Sequence, residues 1–245
     1  MPDIVTLVDL LRVVADGAKR FGTAPWWRGH ANASWKLVPG TFRDGRTHHT
    51  ERNMAARFVA KAPARRSPCP ADSDLAGWLA LMQHYRLPTR LLDWTELPLV
   101  AMFFAVSELP NDGTLWMLNP YALNKVLLGQ PVLQGANGPQ ARRFFKQAFA
   151  SEAVSEGQAL ALTPSEADLR MLLQGSAFTV HDGPVALETH PNVSDFLVGF
   201  RVPSSAKKGL SQHLNLLGVR RSNLFPDLDN LAVDIAGFNF ADPSA

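Results

Sequence analysis

Gln83-His84-Tyr85-Arg86-Leu87-Pro88-Thr89-Arg90-Leu91-Leu92-Asp93-Trp94-Thr95 runs from the end of a helix, through a proline turn, into an extended apolar segment. Just upstream, Leu75, Trp78, Leu79 and Met82 share one helical face, so a helix is expected over 75–86. Ser73 or Asp74 suits its N-cap, and His84 and Tyr85 fall at its C-terminal end. Pro88 cannot continue that helix. Arg90-Leu91-Leu92 then reads as a short buried strand. Pro98 opens an apolar helix over 97–106, because proline is well tolerated in a first turn. A strand enclosed by two helices in this way mixes both element types, and the absence of a regular repeat along the rest of the chain makes it α+β.

The flanks extend the same pattern. Ile4, Leu7, Val8, Leu10, Leu11, Val14 and Ala15 predict an amphipathic helix over 4–19, ended by Phe21-Gly22. Trp26-Trp27 begins a short strand that runs into Arg28-Gly29-His30. A helix is expected over 49–60, a loop over 65–74, a turn at Asn111-Asp112-Gly113 and a strand over 114–118. The middle, 120–165, reads as helix-rich, with a mobile loop over 129–140. The segment 166–173 leads to a strand over 177–180, followed by a turn at 181–184 and a strand over 196–202. Ser204 or Ser205 is expected to cap a helix that Gly218 ends, and 224–232 closes the fold. The alternation has no regular repeat. A single domain is expected, with a short mixed or antiparallel sheet flanked by helices, not a doubly wound one.

The chain has 245 residues, 46% of them hydrophobic, enough for a proper core. With 24 Lys and Arg against 22 Asp and Glu, its net charge of +2 singles out no class of partner. Cys69 is the one cysteine, which excludes an intramolecular disulfide and a cysteine-based metal site. A reducing, cytoplasmic setting is the simplest expectation. No run of apolar residues reaches membrane-helix length, and Met1-Pro2-Asp3-Ile4 has no basic start of a signal peptide, so no membrane partner is expected. P-loop, G-x-G-x-x-G, G-x-S-x-G and H-E-x-x-H patterns are all absent. His48-His49 alone does not indicate a metal, and none is predicted.

Arg28 offers a rigid fork of donors that matches phosphate or carboxylate, and Gly29 allows a ligand or another backbone to come close. The plain alternative is a structural arginine paired with Asp93. His84, Tyr85, Arg86, Arg90 and Asp93 bring an acid/base group, an aromatic face, two cations and a carboxylate to one helix end. Singly, each suits a cap or an internal pair; together they suit a site. Thr89 or Thr95 suits a ribose or a turn, and Phe103 and Phe104 read as core. Gln174-Gly175-Ser176 stands at a strand entrance. Glu188, Asp227 and Asp229 are late carboxylates, and the last two read as helix caps.

These phrases resemble the FRG domain family, named for a Phe/Tyr-Arg-Gly motif, here Trp27-Arg28-Gly29, with Trp in place of Phe or Tyr and the aromatic kept. The resemblance continues through His30, Asn32, Ser34-Trp35 and 37–39, and is strongest over 83–85, 88–95 and 98–101. It resumes at Gln174-Gly175 with Phe178, and at 224–229. It spans about 25–235 and implies little about activity. A more remote resemblance, to arginine-type ADP-ribosyltransferases, implies a fold of that kind and NAD as substrate. It would put Arg28 on NAD, Thr95 on a strand before a helix, and Gln174-Gly175-Ser176 at a turn where that family carries Glu-x-Glu. Its catalytic glutamate corresponds to Ser176, so Asp93 or Glu188 would have to act.

Two functions follow as expectations. One is an NAD-using ADP-ribosyltransferase or glycohydrolase, a toxin or anti-phage effector acting on a protein or nucleic-acid target. Arg28 would hold the pyrophosphate, Tyr85 or Trp94 would stack on nicotinamide, His84 would orient the ribose, and Asp93 or Glu188 would stabilise the cation, with Gln174 a further catalytic candidate. The other is a nucleotide or nucleic-acid binding module, with a nuclease using His84 and Asp93 as its catalytic variant. An architectural reading, with Arg28–Asp93 as a buried pair, stands beside both.

Overall fold

In the computed structural model, residues 1–136, 138–150, 156–163 and 169–237 are described. The sheet takes its strands from along the whole chain: β1 (Trp26–His30), β2 (Leu91–Thr95), β3 (Gly113–Leu118), β4 (Gln134–Gly135), β5 (Ala159–Thr163), β6 (Ser176–His181) and β7 (Leu197–Val202). They lie in the order β4-β5-β6-β2-β1-β3-β7. Only the β4–β5 pair is parallel. The fold is α+β, with a mostly antiparallel sheet and helices on both faces.

The sheet is joined unequally. β1 pairs with β3 along its whole length, and β2 pairs likewise with β6. Between β1 and β2 the register holds one pair, Trp27–Thr95. Beyond it the strands part, leaving two half-sheets around a crevice.

Strand alternation assigns the two faces. Trp27, Leu115, Met117 and Phe200 form one core with α1 (Leu7–Phe21), α4 (Pro98–Ala105) and α9 (Ser204–Leu216). Leu91, Leu160, Leu162, Phe178 and Val180 form another on the same face, against α2 (His48–Lys61), α3 (Leu75–His84) and α6 (Pro139–Phe149). The opposite face buries Trp26, Trp94 and Trp116 with α5 (Pro120–Leu128) and α8 (Val193–Phe196). The helices α7 (Leu169–Leu173), α10 (Arg221–Leu224) and α11 (Leu228–Gly237) complete the α-helices among the described residues, and short 3-10 turns lie at Gly40–Phe42, Ala62–Ala64 and Leu187–Thr189.

Several boundaries differ from the sequence reading, each for a local reason. The first helix starts at Leu7 because Thr6 and Asp9 form a reciprocal capping box. Ile4 lies outside that helix, fully buried, its amide donating to the Arg201 carbonyl. α3 stops at His84 because Arg86 takes a left-handed φ of 62°. Asp74 caps that helix through the Gly77 amide, as expected. Neither Ser204 nor Ser205 caps α9; Asp112, from the turn before β3, accepts from the Ser204 amide instead. The loop expected over 129–140 holds β4 and the start of α6. The helix-rich middle also contains β5. Of 166–173, the described part is α7, and 166–168 lie outside the described residues.

Candidate functional site

A cavity of about 300 Å³ opens at the crevice, on the face that α3 and α4 flank. Arg28 and Gly29 of β1, Asp93 and Thr95 of β2 and Ser176 of β6 line it, with His84 from α3 and Gln174 from the turn before β6. The three phrases singled out in the sequence therefore meet because their strands are adjacent in the sheet.

The crevice shapes Arg28. Where the β1–β2 ladder ends, its Nη1 donates to the Asp93 carbonyl at 2.5 Å, standing in for a missing rung. Its Nε donates to His30 Nε2 at 2.9 Å. Because arginine only donates, His30 Nε2 must be unprotonated, and the proton sits on Nδ1, which donates to the Trp35 carbonyl. Burial pushes Arg28 down to about 10, opposed by Asp93 and aided by Arg43, so it stays charged at neutral pH. The Asp93 carboxylate is 4.0 Å from Arg28 Nη1 with its side chain 56% exposed, so the pair is not a buried one.

Asp93 is held by its neighbour on α3. Gln83 Nε2 donates to both carboxylate oxygens at 2.9 Å, while Gln83 Oε1 accepts from the Thr89 hydroxyl. Asp93 is the one carboxylate among the described lining residues, against Arg28, Arg43 and Arg170. Burial lowers the pKa of Arg43, whose Nε donates to the Val38 carbonyl. Arg170 lies over the Phe225 ring at 4.6 Å and donates to the His84 carbonyl. This excess of cations favours an anionic ligand.

Other predicted site residues lie elsewhere or serve the frame. Arg90 is fully buried and bonded to Glu51, away from the cavity. Glu188 accepts from the Leu37 amide and does not line the cavity. Tyr85 is 55% exposed and packs on His84 and Phe58, outside the cavity lining. Trp94 contributes to the lining, but its indole Nε1 donates to Thr179 in the opposite core. Thr95 donates to the Gln174 carbonyl and accepts from the Leu97 amide, which is a turn's bonding. Gln174 Nε2 donates to the Leu224 carbonyl. Gly29 admits another backbone, that of α4. Asp227 bonds the Asn230 amide, as a cap should.

The sequence reading missed Gln83 as the holder of Asp93, Arg43 and Arg170 as cations, and Trp35 and Phe104 as aromatic walls. Gln83 and His30 lie in the same stretches of sequence as Asp93 and Arg28, and Trp35 follows shortly after His30. Arg43 and Arg170 carried no local signal, because only the tertiary fold brings them in. No group of His, Cys, Asp and Glu suited to a metal occurs among the described residues.

Two buried histidines set a pH dependence. His30 is pushed down to about 3 by burial and then by Arg28 and Arg43. His181 is pushed down to about 3 by burial and then by Arg28 and Arg90; its Nε2 is 2.8 Å from the Thr179 hydroxyl. Both are neutral in the fold, whereas the unfolded chain takes up these protons below about pH 6.5. Between roughly pH 3 and 6.5 the unfolded state binds more protons, so stability falls as pH drops through that window. The slope expected is about 1.4 kcal/mol per pH unit for each histidine. Urea midpoints measured from pH 7 to pH 4 check this, and a flat profile contradicts it.

No curated protein and no solved structure matches the chain. No helix among the described residues is long and apolar enough to cross a membrane. The FRG domain family matches residues 23–113. That span carries Trp27-Arg28-Gly29 and the whole of Gln83–Thr95, and stops before the Gln174 and Leu224 phrases. Two walls of the crevice, β1 and the α3–β2 segment, thus lie in the matched region, and an FRG domain is present in this chain.

Proposed function

We propose that the crevice binds NAD and breaks its nicotinamide–ribose bond, transferring ADP-ribose to water or to an acceptor. The observation that carries this reading is the convergence of Arg28, Asp93, Thr95 and the Gln174–Ser176 turn on one cavity. Their strands follow the sequence order that the resemblance to ADP-ribosyltransferases implies. Arg28 and its neighbouring arginines hold the pyrophosphate. His84 lies at the ribose, and Trp35 or Phe104 supplies the aromatic wall in place of Tyr85 and Trp94. When the C1′–N bond breaks, its electron pair leaves on the nicotinamide nitrogen, and C1′ becomes an oxocarbenium ion. Asp93 stabilises that cation, Glu188 being outside the cavity. Water adds at C1′ and loses a proton, giving ADP-ribose.

Purified protein incubated with NAD is expected to release free nicotinamide. Arg28→Ala and Asp93→Asn are each expected to slow that release by about 10²–10³-fold, the usual effect of losing one preorganised charge or donor. No nicotinamide above a protein-free control, or an unchanged rate in Arg28→Ala, sinks the reading.

One observation favours a second reading, a nucleotide or nucleic-acid binding module. Ser176 stands where the resemblance places the catalytic glutamate, and Asp93 is already engaged by Gln83. A binder gives salt-sensitive retention of ligand and no product. A nuclease built on His84 and Asp93 would instead yield cut RNA or DNA.

A further inference from the structure

A second cavity, of about 320 Å³, adjoins the first: Ala80, His84, Met171 and Phe178 line both. Its character is different. Pro68, Pro70, Leu91, Phe145 and Leu162 make its walls largely apolar; its lining holds a single arginine, Arg66, whose Nε donates to the Pro68 carbonyl, against three arginines in the first. Small-ligand pockets begin at about 300 Å³, so the hollow is large enough to take a small planar group. Asp74 lies at its lining with Oδ1 bonded to the Gly77 amide and Oδ2 beside Gly77.

We propose that this chamber is a second subsite, taking the base of a purine nucleotide whose phosphate lies against the arginines of the first. The inference rests on the nucleotide reading above, but not on bond cleavage. A purine offers flat apolar faces to Phe178, Phe145 and Met171, and an exocyclic amine whose N–H can donate to Asp74. A fatty chain would fill the volume and leave Asp74 and the arginines unmatched. His84 lines both cavities and so marks the boundary between the two subsites.

Cys69, the one cysteine in the chain, lines the second chamber and not the first, so it reports occupancy. Its alkylation by iodoacetamide is followed in the full-length protein with AMP, with ribose 5-phosphate and with neither. AMP is expected to slow the reaction about tenfold or more. Ribose 5-phosphate, which lacks the base, is expected to leave it unchanged. In direct calorimetry AMP should bind about tenfold or more tightly than ribose 5-phosphate, as base stacking predicts. Ala76→Trp fills the chamber from α3 and should erase that advantage while keeping ribose 5-phosphate affinity. Pro70→Trp, on the preceding loop, does the same should the first variant fail to fold. Equal affinity for AMP and ribose 5-phosphate, or an AMP advantage that survives a folded filled variant, overturns the subsite. Nicotinamide release without Cys69 protection overturns it and leaves NAD cleavage standing. Protection without nicotinamide release keeps the subsite and overturns cleavage.

Discussion

Glu51→Ala is expected to lower the unfolding free energy by about 3–5 kcal/mol, the cost of leaving a buried charge without its partner. Glu51 and Arg90 both have fully buried side chains. Arg90 Nε reaches the two carboxylate oxygens at 3.1 and 3.2 Å, and Nη2 reaches Oε2 at 2.6 Å. Nη1 is bonded to the Phe144 carbonyl and the Gln147 side chain at 3.1 Å each. The guanidinium therefore ties α2 and α6 to the entry of β2, and cannot turn to water when its carboxylate is removed. The double replacement Glu51→Leu with Arg90→Met removes both charges and should recover most of the loss, since apolar substitutes for buried pairs are often neutral or better. Urea denaturation of the two variants checks the pair of outcomes. A single variant within about 0.5 kcal/mol of the parent would contradict the assignment.

Gly29→Ala is expected to cost more than the roughly 1–3 kcal/mol typical of an overpacked core. A Cβ at Gly29 would meet the Ala101 carbonyl oxygen at 1.9 Å and the Ala105 nitrogen at 2.5 Å. Both atoms belong to the backbone of α4, so no rotamer change relieves the clash. The helix would have to move off β1, taking the Val100 and Phe104 wall of the crevice with it. The glycine is required by contact, not by torsion. Gly209, within α9, has nothing within 4 Å of its added Cβ. Gly209→Ala should be neutral or stabilising by about 0.5–1 kcal/mol through helix propensity. Thermal denaturation of both variants tests the contrast, and a folded, parent-like Gly29→Ala protein would refute the close approach.

The difference between Arg28 and Arg90 shows how far the sequence reaches. Each sits by a strand rich in apolar residues, and each looks equally fit to hold an anion. The structure gives one to the crevice and the other to Glu51, far away in sequence on α2. Local pattern cannot separate them, because the deciding partner is nonlocal. The same limit hid β5. Ala159-Leu160-Ala161-Leu162 has the composition of a helix, and it becomes a strand because β6 offers it a ladder partner. Where local rules act alone the reading succeeded: proline starts α4, Asp74 caps α3, and the tryptophan pair opens β1. The phrases around Arg28, Asp93 and Gln174 stand out because they combine charge, aromatics and polar amides where a core needs none of them, and the structure brings them to one cavity. Arg43 and Arg170 were not, since nothing near them in the chain marks their arrival.

The single pair between β1 and β2 has a mechanical meaning. Two half-sheets stitched at Trp27–Thr95 are expected to give most easily along that seam, with the Arg28–Asp93 carbonyl bond as a light clasp. Any molecule that grips both edges acts as a splint across the half-sheets. Its binding would stiffen the fold along that seam, and the amides bordering the seam would exchange with solvent more slowly when the splint is in place.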